Sequence, residues 1–475
     1  MNTFPSIERP GHATRPLVLS ALGLAGIIAA LVQTLVLPLL PQFPQLLGVS
    51  VADASWIATS TMIVGAISAP LFGWLGDRFG LKPMIVLSLL LLLAGSVLSA
   101  LSSDLPLMLA GRVLQGCGMG IVGLSLALLR RLLHVQLLPM AVGLLTGTVG
   151  IGTGLGVPLA GIIVQYLPWQ AIFWIIAGCA AAATIAVAVL VPSLPPTSSR
   201  PFDIVGALGL SAVITLVLLP ITFLAQRDPQ ATLHSLMLLG AAVVVAVLWI
   251  RHQLLSRAPF IDLRLVATPP IWASHLIAML LGFAFFLSFT ATITVTQMPA
   301  GGTAGLGGSV LLTGLVQLPP SLLSIIAPPL AALLVARAGA RTALILGITS
   351  TIAAFGLRLL DLTDPIAISL SAMLVSGAIS FSFAALPIAL MHASPLDQLA
   401  ATGGVNMLSR QLGAASASVV GATIVAAIID FSQANDATAF AWLFGLGAGA
   451  SLLALLVTAL SPTLRSQPTD QGSRP

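Results

Sequence analysis

The chain alternates between apolar blocks of roughly twenty residues or more and short polar breaks, the length a helix needs to cross a hydrocarbon core. Read on that scale, the pattern predicts helices near 17–40, 54–76, 84–102, 105–129, 138–166 and 169–191. Two more are predicted near 204–224 and 232–250, and six near 270–297, 308–336, 342–360, 366–391, 398–429 and 437–460. The fold expected is all-α and membrane-embedded, with about fourteen spans. Two six-helix bundles, 17–192 and 269–461, flank a linker with two inserted helices at 193–268. Polar tails at 1–16 and 462–475 complete the chain, and no cleavable signal is expected at the start.

Cations sharpen this picture. With the N-terminus inside, Arg78, Lys82, Arg130, Arg131, Arg251, Arg257, Arg264, Arg337 and Arg341 all fall on the cytoplasmic side, against Arg227 on the other. That asymmetry satisfies the positive-inside rule and places both termini in the cytoplasm. The inserted helices carry no charge within the membrane and read as a lipid-facing pair.

Composition agrees with a bilayer as solvent. Hydrophobic residues make up 58% of the 475, charged residues 7%, and mean hydropathy is +1.10, where a soluble domain carries about a quarter charged residues. The net charge of +5 is spread in twos and threes between apolar blocks, which argues against a nucleic-acid surface. Cys117 and Cys179 lack metal or redox spacing. No nucleophile–base pair stands out, so neither an enzyme nor a bound cofactor or metal is expected.

An internal repeat is visible. Gly73-Trp-Leu-Gly-Asp-Arg-Phe-Gly-Leu-Lys-Pro83 aligns with Ala332-Leu-Leu-Val-Ala-Arg-Ala-Gly-Ala-Arg-Thr342, so that Arg78 meets Arg337, Gly80 meets Gly339 and Lys82 meets Arg341. Repeated halves are a mark of alternating-access carriers with a substrate site between them. Physically, the first stretch is a short turn in which Gly80 permits a left-handed backbone and Pro83 opens the next helix. Asp77, at the membrane boundary among cations, is placed to exchange partners as two bundles rock.

That stretch, Gly73-x-Leu75-x-Asp77-Arg78-x-Gly80-x-Lys82-Pro83, resembles the signature loop of the major facilitator superfamily. Four further segments resemble motifs of its fourteen-span drug:proton antiporter branch. They are Arg112-Val-Leu-Gln-Gly-Cys-Gly118, Gly150-Ile-Gly-Thr-Gly-Leu-Gly-Val-Pro-Leu-Ala-Gly161, Trp169-Gln-Ala-Ile-Phe173 and Ser409-Arg-Gln-Leu-Gly413. The resemblance implies a multidrug-efflux carrier in a bacterial cytoplasmic (inner) membrane, one chain acting alone, with a small-molecule substrate and protons as partners. It implies a cytoplasmic latch built on Gly73, Asp77, Arg78, Gly80 and Lys82. Arg112 would serve proton transfer with Gln115 beside it, and Gly150, Gly154, Pro158 and Gly161 would form a bend between the halves.

An arginine at the bilayer centre costs about 2.5–3.5 kcal/mol on insertion scales, so Arg112 should face a cavity or a partner. Anchoring neighbouring helices through backbone carbonyls is the structural alternative. Gly143, Gly147, Gly150, Gly154 and Gly161 have the small-residue spacing that lets helices approach. Gln33, Thr34, Asn406, Arg410 and His275 complete the candidate cavity. Arg410 would meet an anionic group or pair across helices, and His275 would relay protons or merely pack. Arg358, with Asp361 close by, reads as a snorkelling arginine near an outer helix end.

The chain departs from the branch where coupling is concerned. In Leu31-Val-Gln-Thr-Leu-Val-Leu-Pro-Leu-Leu-Pro41, Thr34 and Pro41 fit, but Val32 stands where the branch has an acid. Val157 replaces a glycine before Pro158, and Ala336 replaces an aspartate in the second-half loop. No Asp or Glu falls deep inside a predicted span, so neutral or anionic amphipathic substrates fit better than cations. An uncoupled facilitator, a carrier of lipid-like or organic anions, and a non-transporting sensor or scaffold are the alternatives.

Overall fold

The computed structural model describes residues 15–40, 42–134, 136–196, 201–224, 229–300, 303–395, 398–431 and 436–461. Nearly all of both tails, residues 197–200 of the 193–203 join and Arg227 lie outside them. The first half comprises α1 (Arg15–Thr34), α2 (Val51–Phe79), α3 (Leu81–Ala100), α4 (Leu105–Leu132), α5 (Leu138–Tyr166) and α6 (Gln170–Leu190). Next come α7 (Ile204–Leu224) and α8 (Pro229–Leu255). The second half comprises α9 (Pro269–Gln297), α10 (Val310–Ala338), α11 (Ala340–Leu357), α12 (Pro365–Ala393), α13 (Leu399–Phe431) and α14 (Asp436–Leu460). Among the described residues, twelve helices are long and apolar enough to cross a membrane by length and composition, and α7 carries a shorter apolar stretch, Ile204–Pro220. The expected helices are all present, with ends shifted by a few residues.

The acids go to helix ends. Asp104 accepts the N–H of Leu107 at 2.9 Å, Asp262 those of Arg264 and Leu265, and Asp364 those of Ile366 and Ala367. Each satisfies donors that the first helical turn leaves open. The outer surface is apolar: on α8, Val243, Val244, Val247 and Leu248 are all exposed, as a lipid-facing helix requires.

Within the halves, α1 packs on α5, α3 on α4 and α6, α10 on α12, and α9 on α13 and α14. The halves meet along two seams, α5 against α10 and α2 against α13. Helix α7 lies against both α2 and α13, and α8 packs on α7. The expected repeat is legible in the backbone. Gly80 (φ 104°, ψ 143°) and Gly339 (φ 83°, ψ 162°) each end one helix and open the next, in a conformation that L side chains rarely adopt.

Candidate functional site

The α5–α10 seam is close because one face of α5 has no side chains. A Cβ at Gly143 would meet Ala332 and Pro328, at Gly150 the carbonyl of Ser324, at Gly154 the side chain of Ser321, and at Gly161 the backbone of α10 at 3.2 Å. Pro158 sits opposite Gly314 inside an uninterrupted α5. Gly147, Gly150, Gly154, Pro158 and Gly161 are thus packing residues of the half–half interface.

Between the halves lies a cavity with about 1210 Å³ of empty space, its mouth included. Gln33, Thr34, Arg112, Gly150, Gly154 and Arg410 border it, so six sequence-predicted residues converge on one space. Gln115, Asn406 and His275 stand behind its wall.

Arg112 is buried and heavily partnered. Its Nε donates to the carbonyl of Ile57 at 2.9 Å, and Nη1 donates to the carbonyl of Val32 at 3.3 Å and to Oε1 of Gln115 at 2.6 Å. Gln115 passes the network on to Ser96 Oγ at 2.8 Å. In return the hydroxyl of Thr61 donates to the carbonyl of Arg112 at 3.1 Å. At the position where an acid was expected, the main-chain oxygen of Val32 therefore takes one arginine donor. Three helices are tied together by this group, which is the structural alternative recognised above. Five residues on, at Cys117–Gly120, α4 tightens to a 3-10 turn, a feature often found at hinges.

Arg410 is different. It lines the cavity with its guanidinium 4.9 Å above the ring of Phe383, and among the described residues it makes no hydrogen bond or ion pair. His275 is buried, its Nδ1 3.4 Å from the amide nitrogen of Asn406 and its Nε2 unpartnered. Gln33 donates to the sulfur of Met119 at 2.9 Å, and Thr34 to the carbonyl of Gly152 at 3.2 Å, joining α1 to α5.

Sequence reading missed the aromatic wall. Phe285 and Phe289 stack at 6.1 Å, Phe383 approaches Phe285 at 6.4 Å, and all three line the cavity with Phe286. The cluster Phe283, Phe285, Phe286 and Phe289 in one helix was the available signal. Gln317 was also missed: it is 3% exposed, lines the cavity, and its Nε2 has no partner. Among the described residues, no carboxylate lines the cavity.

Arg358 corrects an expectation. It is 1% exposed, donates to Thr292 Oγ1 at 2.9 Å and lies 4.5 Å over Phe444, so it does not snorkel. Asp361 is engaged elsewhere, accepting from Thr363 and the N–H of Asp364.

About 24 Å of helix separates Thr61 at the cavity from Asp77, at 1.5 Å per residue. At that end the halves touch. Asp77 is buried, and its Oδ2 accepts the N–H of Ala401 at 3.2 Å. Arg130 donates to the carbonyl of Ser394 at 3.0 Å, and Gly404 abuts the backbone of Ala69 and Pro70. Arg78 lies 5.8 Å from Trp74 and 5.7 Å from Phe79. Gly73 is buried in α2, and Lys82 is half-buried.

The family model described as Major Facilitator Superfamily matches residues 22–418. The methylenomycin A resistance protein of Bacillus subtilis is 28% identical over 468 residues, covering 96% of this chain and 97% of that protein. The tetracenomycin C resistance and export protein of Streptomyces glaucescens is 25% identical over 400 residues, 83% and 73% of the two chains. An uncharacterized MFS-type transporter of Mycobacterium tuberculosis is 27% identical over 425 residues, 87% of this chain but only 60% of that protein's length. Among solved structures, the human organic anion transporter MFSD10 superposes with a TM-score of 0.67 at 19% identity, over 93% of this chain and 99% of that one.

Proposed function

Because the chain belongs to the major facilitator superfamily, we propose that it exports small amphipathic compounds by alternating access, with neutral or anionic substrates favoured over cations. One observation carries the charge preference: among the described residues, the cavity between the halves is walled by aromatic rings and two arginines, with no carboxylate. A buried acid is the natural place to exchange a proton for a cationic drug, because a low-dielectric site lets only one of them neutralise it. The two resistance proteins that match most of the chain support export as the direction.

In this reading the protein sits in a bacterial cytoplasmic membrane with fourteen spans and both termini inside. The halves are 17–192 and 269–461, with α7 and α8 an inserted pair on the α2–α13 seam. Asp77 and its turn form the inner latch, closed here, and the cavity lies on the outward side of it. Substrate enters between the halves when the latch parts, and the α5–α10 seam stays in contact as they rock. Proton entry drives the cycle, with His275 and Arg112 the groups nearest the path. An uncoupled carrier of organic anions is the second reading, favoured by the missing acid at Val32.

Purified protein in liposomes with a trapped pH dye tests both. A neutral or anionic amphipath that crosses and drives proton movement supports the antiporter, while crossing without proton movement supports the facilitator. No flux of any amphipathic probe above that of protein-free vesicles would remove the transport reading and leave a sensor or scaffold.

A further inference from the structure

Two guanidinium groups border the cavity, and their circumstances differ. Arg112 has its Nε and Nη1 donors committed to Ile57, Val32 and Gln115, which leaves Nη2 alone without a described partner. Arg410, part-exposed to the cavity, has one described partner, the face of Phe383. A guanidinium held only over an aromatic face keeps its N–H groups free for a carboxylate acceptor in its own plane. The described residues supply no such acceptor: no carboxylate among them lines the space. Gln317, another lining residue, has a buried amide nitrogen with no described partner. Phe285, Phe286 and Phe289 stand beside Phe383 as an apolar wall.

From this geometry we propose that Arg410 is the anion-binding group of the cavity, and that the substrate class is an aromatic or otherwise flat apolar monocarboxylate. The carboxylate takes the fork of Arg410, and the apolar body lies on the phenylalanine wall. Guanidinium–carboxylate pairing is bidentate and stronger than neutral hydrogen bonding, which gives the site its preference. The bound anion has a further effect. Closing the halves around an uncompensated guanidinium is costly, and a carboxylate removes most of that cost. Arg410 thereby links occupancy to closure, and the loaded carrier reorients more readily than the empty one. This assignment rests on the transport reading above but is tested apart from it.

The test compares three probes of one shape: 1-naphthoate, 1-naphthamide and 1-naphthylmethylammonium. Equilibrium binding to the purified full-length protein is measured by titration calorimetry, and flux is measured in proteoliposomes. The expected result is naphthoate binding at least about tenfold tighter than the amide, with the ammonium weakest. Arg410→Gln should bring naphthoate and amide within about twofold while leaving amide binding intact, which also reports a sound fold. Arg410→Lys should keep about a third of the preference, since a point charge replaces the planar fork. Equal binding of acid and amide by the wild type, a tighter ammonium, or no naphthoate binding at millimolar concentration would each overturn the assignment. A preference that survives Arg410→Gln moves the site elsewhere and overturns it too. If the amide crosses as fast as the acid, transport stands and the anion site falls; if naphthoate binds but no probe crosses, the reverse holds.

Discussion

The carboxylate of Asp77 in the first half caps a helix of the second, its Oδ2 3.2 Å from the N–H of Ala401. Ala401 is the third residue of α13, where main-chain donors have no partner within the helix. A negative charge there also meets the positive end of the helix dipole, worth about 0.3–1 kcal/mol when exposed and up to about 2 when buried. The proposed latch therefore includes a cap shared between the two halves, which would break if they separated.

Asp77→Asn keeps an acceptor oxygen but loses the charge. The expected result is a folded protein whose inner contact is weakened by about 1 kcal/mol, roughly fivefold in the balance between closed and open states. Thermal unfolding should stay near wild type while turnover falls. Unchanged turnover would show that the cap does not hold the gate.

Arg112 and Arg358 are both buried cations, and they should respond oppositely to removal. Arg112→Met strands Oε1 of Gln115 without its donor, at a cost of about 1–3 kcal/mol. Arg358 already leaves Nε and Nη1 unpartnered and pairs only with Thr292 and Phe444, so Arg358→Met should be neutral or stabilising by about 1 kcal/mol. Thermal unfolding in detergent separates them; a larger loss at Arg358 would contradict the packing seen here.

How much of this could be read from the chain depends on the range of the interaction. The helices and the turns at Gly80 and Gly339 follow from apolar length and local backbone demands, which are written in consecutive residues. Arg112 with Gln115 was legible because one turn of helix separates them. The carbonyls of Ile57 and Val32 that complete the arginine's shell come from other helices, and a backbone oxygen leaves no trace in residue identity. Arg358 misled for the same reason: its place near a helix end, with Asp361 close by, suggested a snorkelling side chain, while Thr292 and Phe444 were brought to it only by packing. The phenylalanine wall draws on α9 and α12, so the cavity's chemistry emerged only with the fold.

The inserted helices are secured by one acid. Asp203 accepts from Gly206 N–H at 2.8 Å, His252 Nε2 at 2.9 Å, Gln253 Nε2 at 3.1 Å and the N–H of Phe260 at 3.1 Å. Burial alone would raise its pKa, but these donors together hold it below the ordinary 3.8. A lowered carboxyl pKa adds stability that is present above the unfolded value and lost as pH falls through the folded one. The 260–261 segment should therefore stay docked at neutral pH and loosen only below pH 3.8. Hydrogen exchange at the amides of Phe260 and Ile261 reads this directly. Asp203→Asn should speed exchange at both amides at neutral pH and remove the acid dependence; protection as in the wild type would show that the carboxylate is not what docks the segment.

The α5–α10 seam makes the sharpest structural prediction, because the obstacle to a side chain at Gly154 is a single residue. A Cβ there would overlap the side chain of Ser321, whose hydroxyl already donates to the carbonyl of Gln317. Gly154→Ala should cost about 1–3 kcal/mol, the usual price of overpacking, and slow transport by forcing the halves apart. Ser321→Gly alone removes a small side chain and should be mild. Combining the two removes the side-chain overlap and leaves only the Cα of Ser321 at 2.8 Å, so the double variant should regain part of the lost stability and turnover, a coupling of opposite sign to the single losses. The serine hydroxyl is absent in that variant, so rescue isolates the steric effect from hydrogen bonding. Additive losses would mean that α5 and α10 do not pack at this height while the carrier works, and that the close seam belongs to one state of the cycle alone.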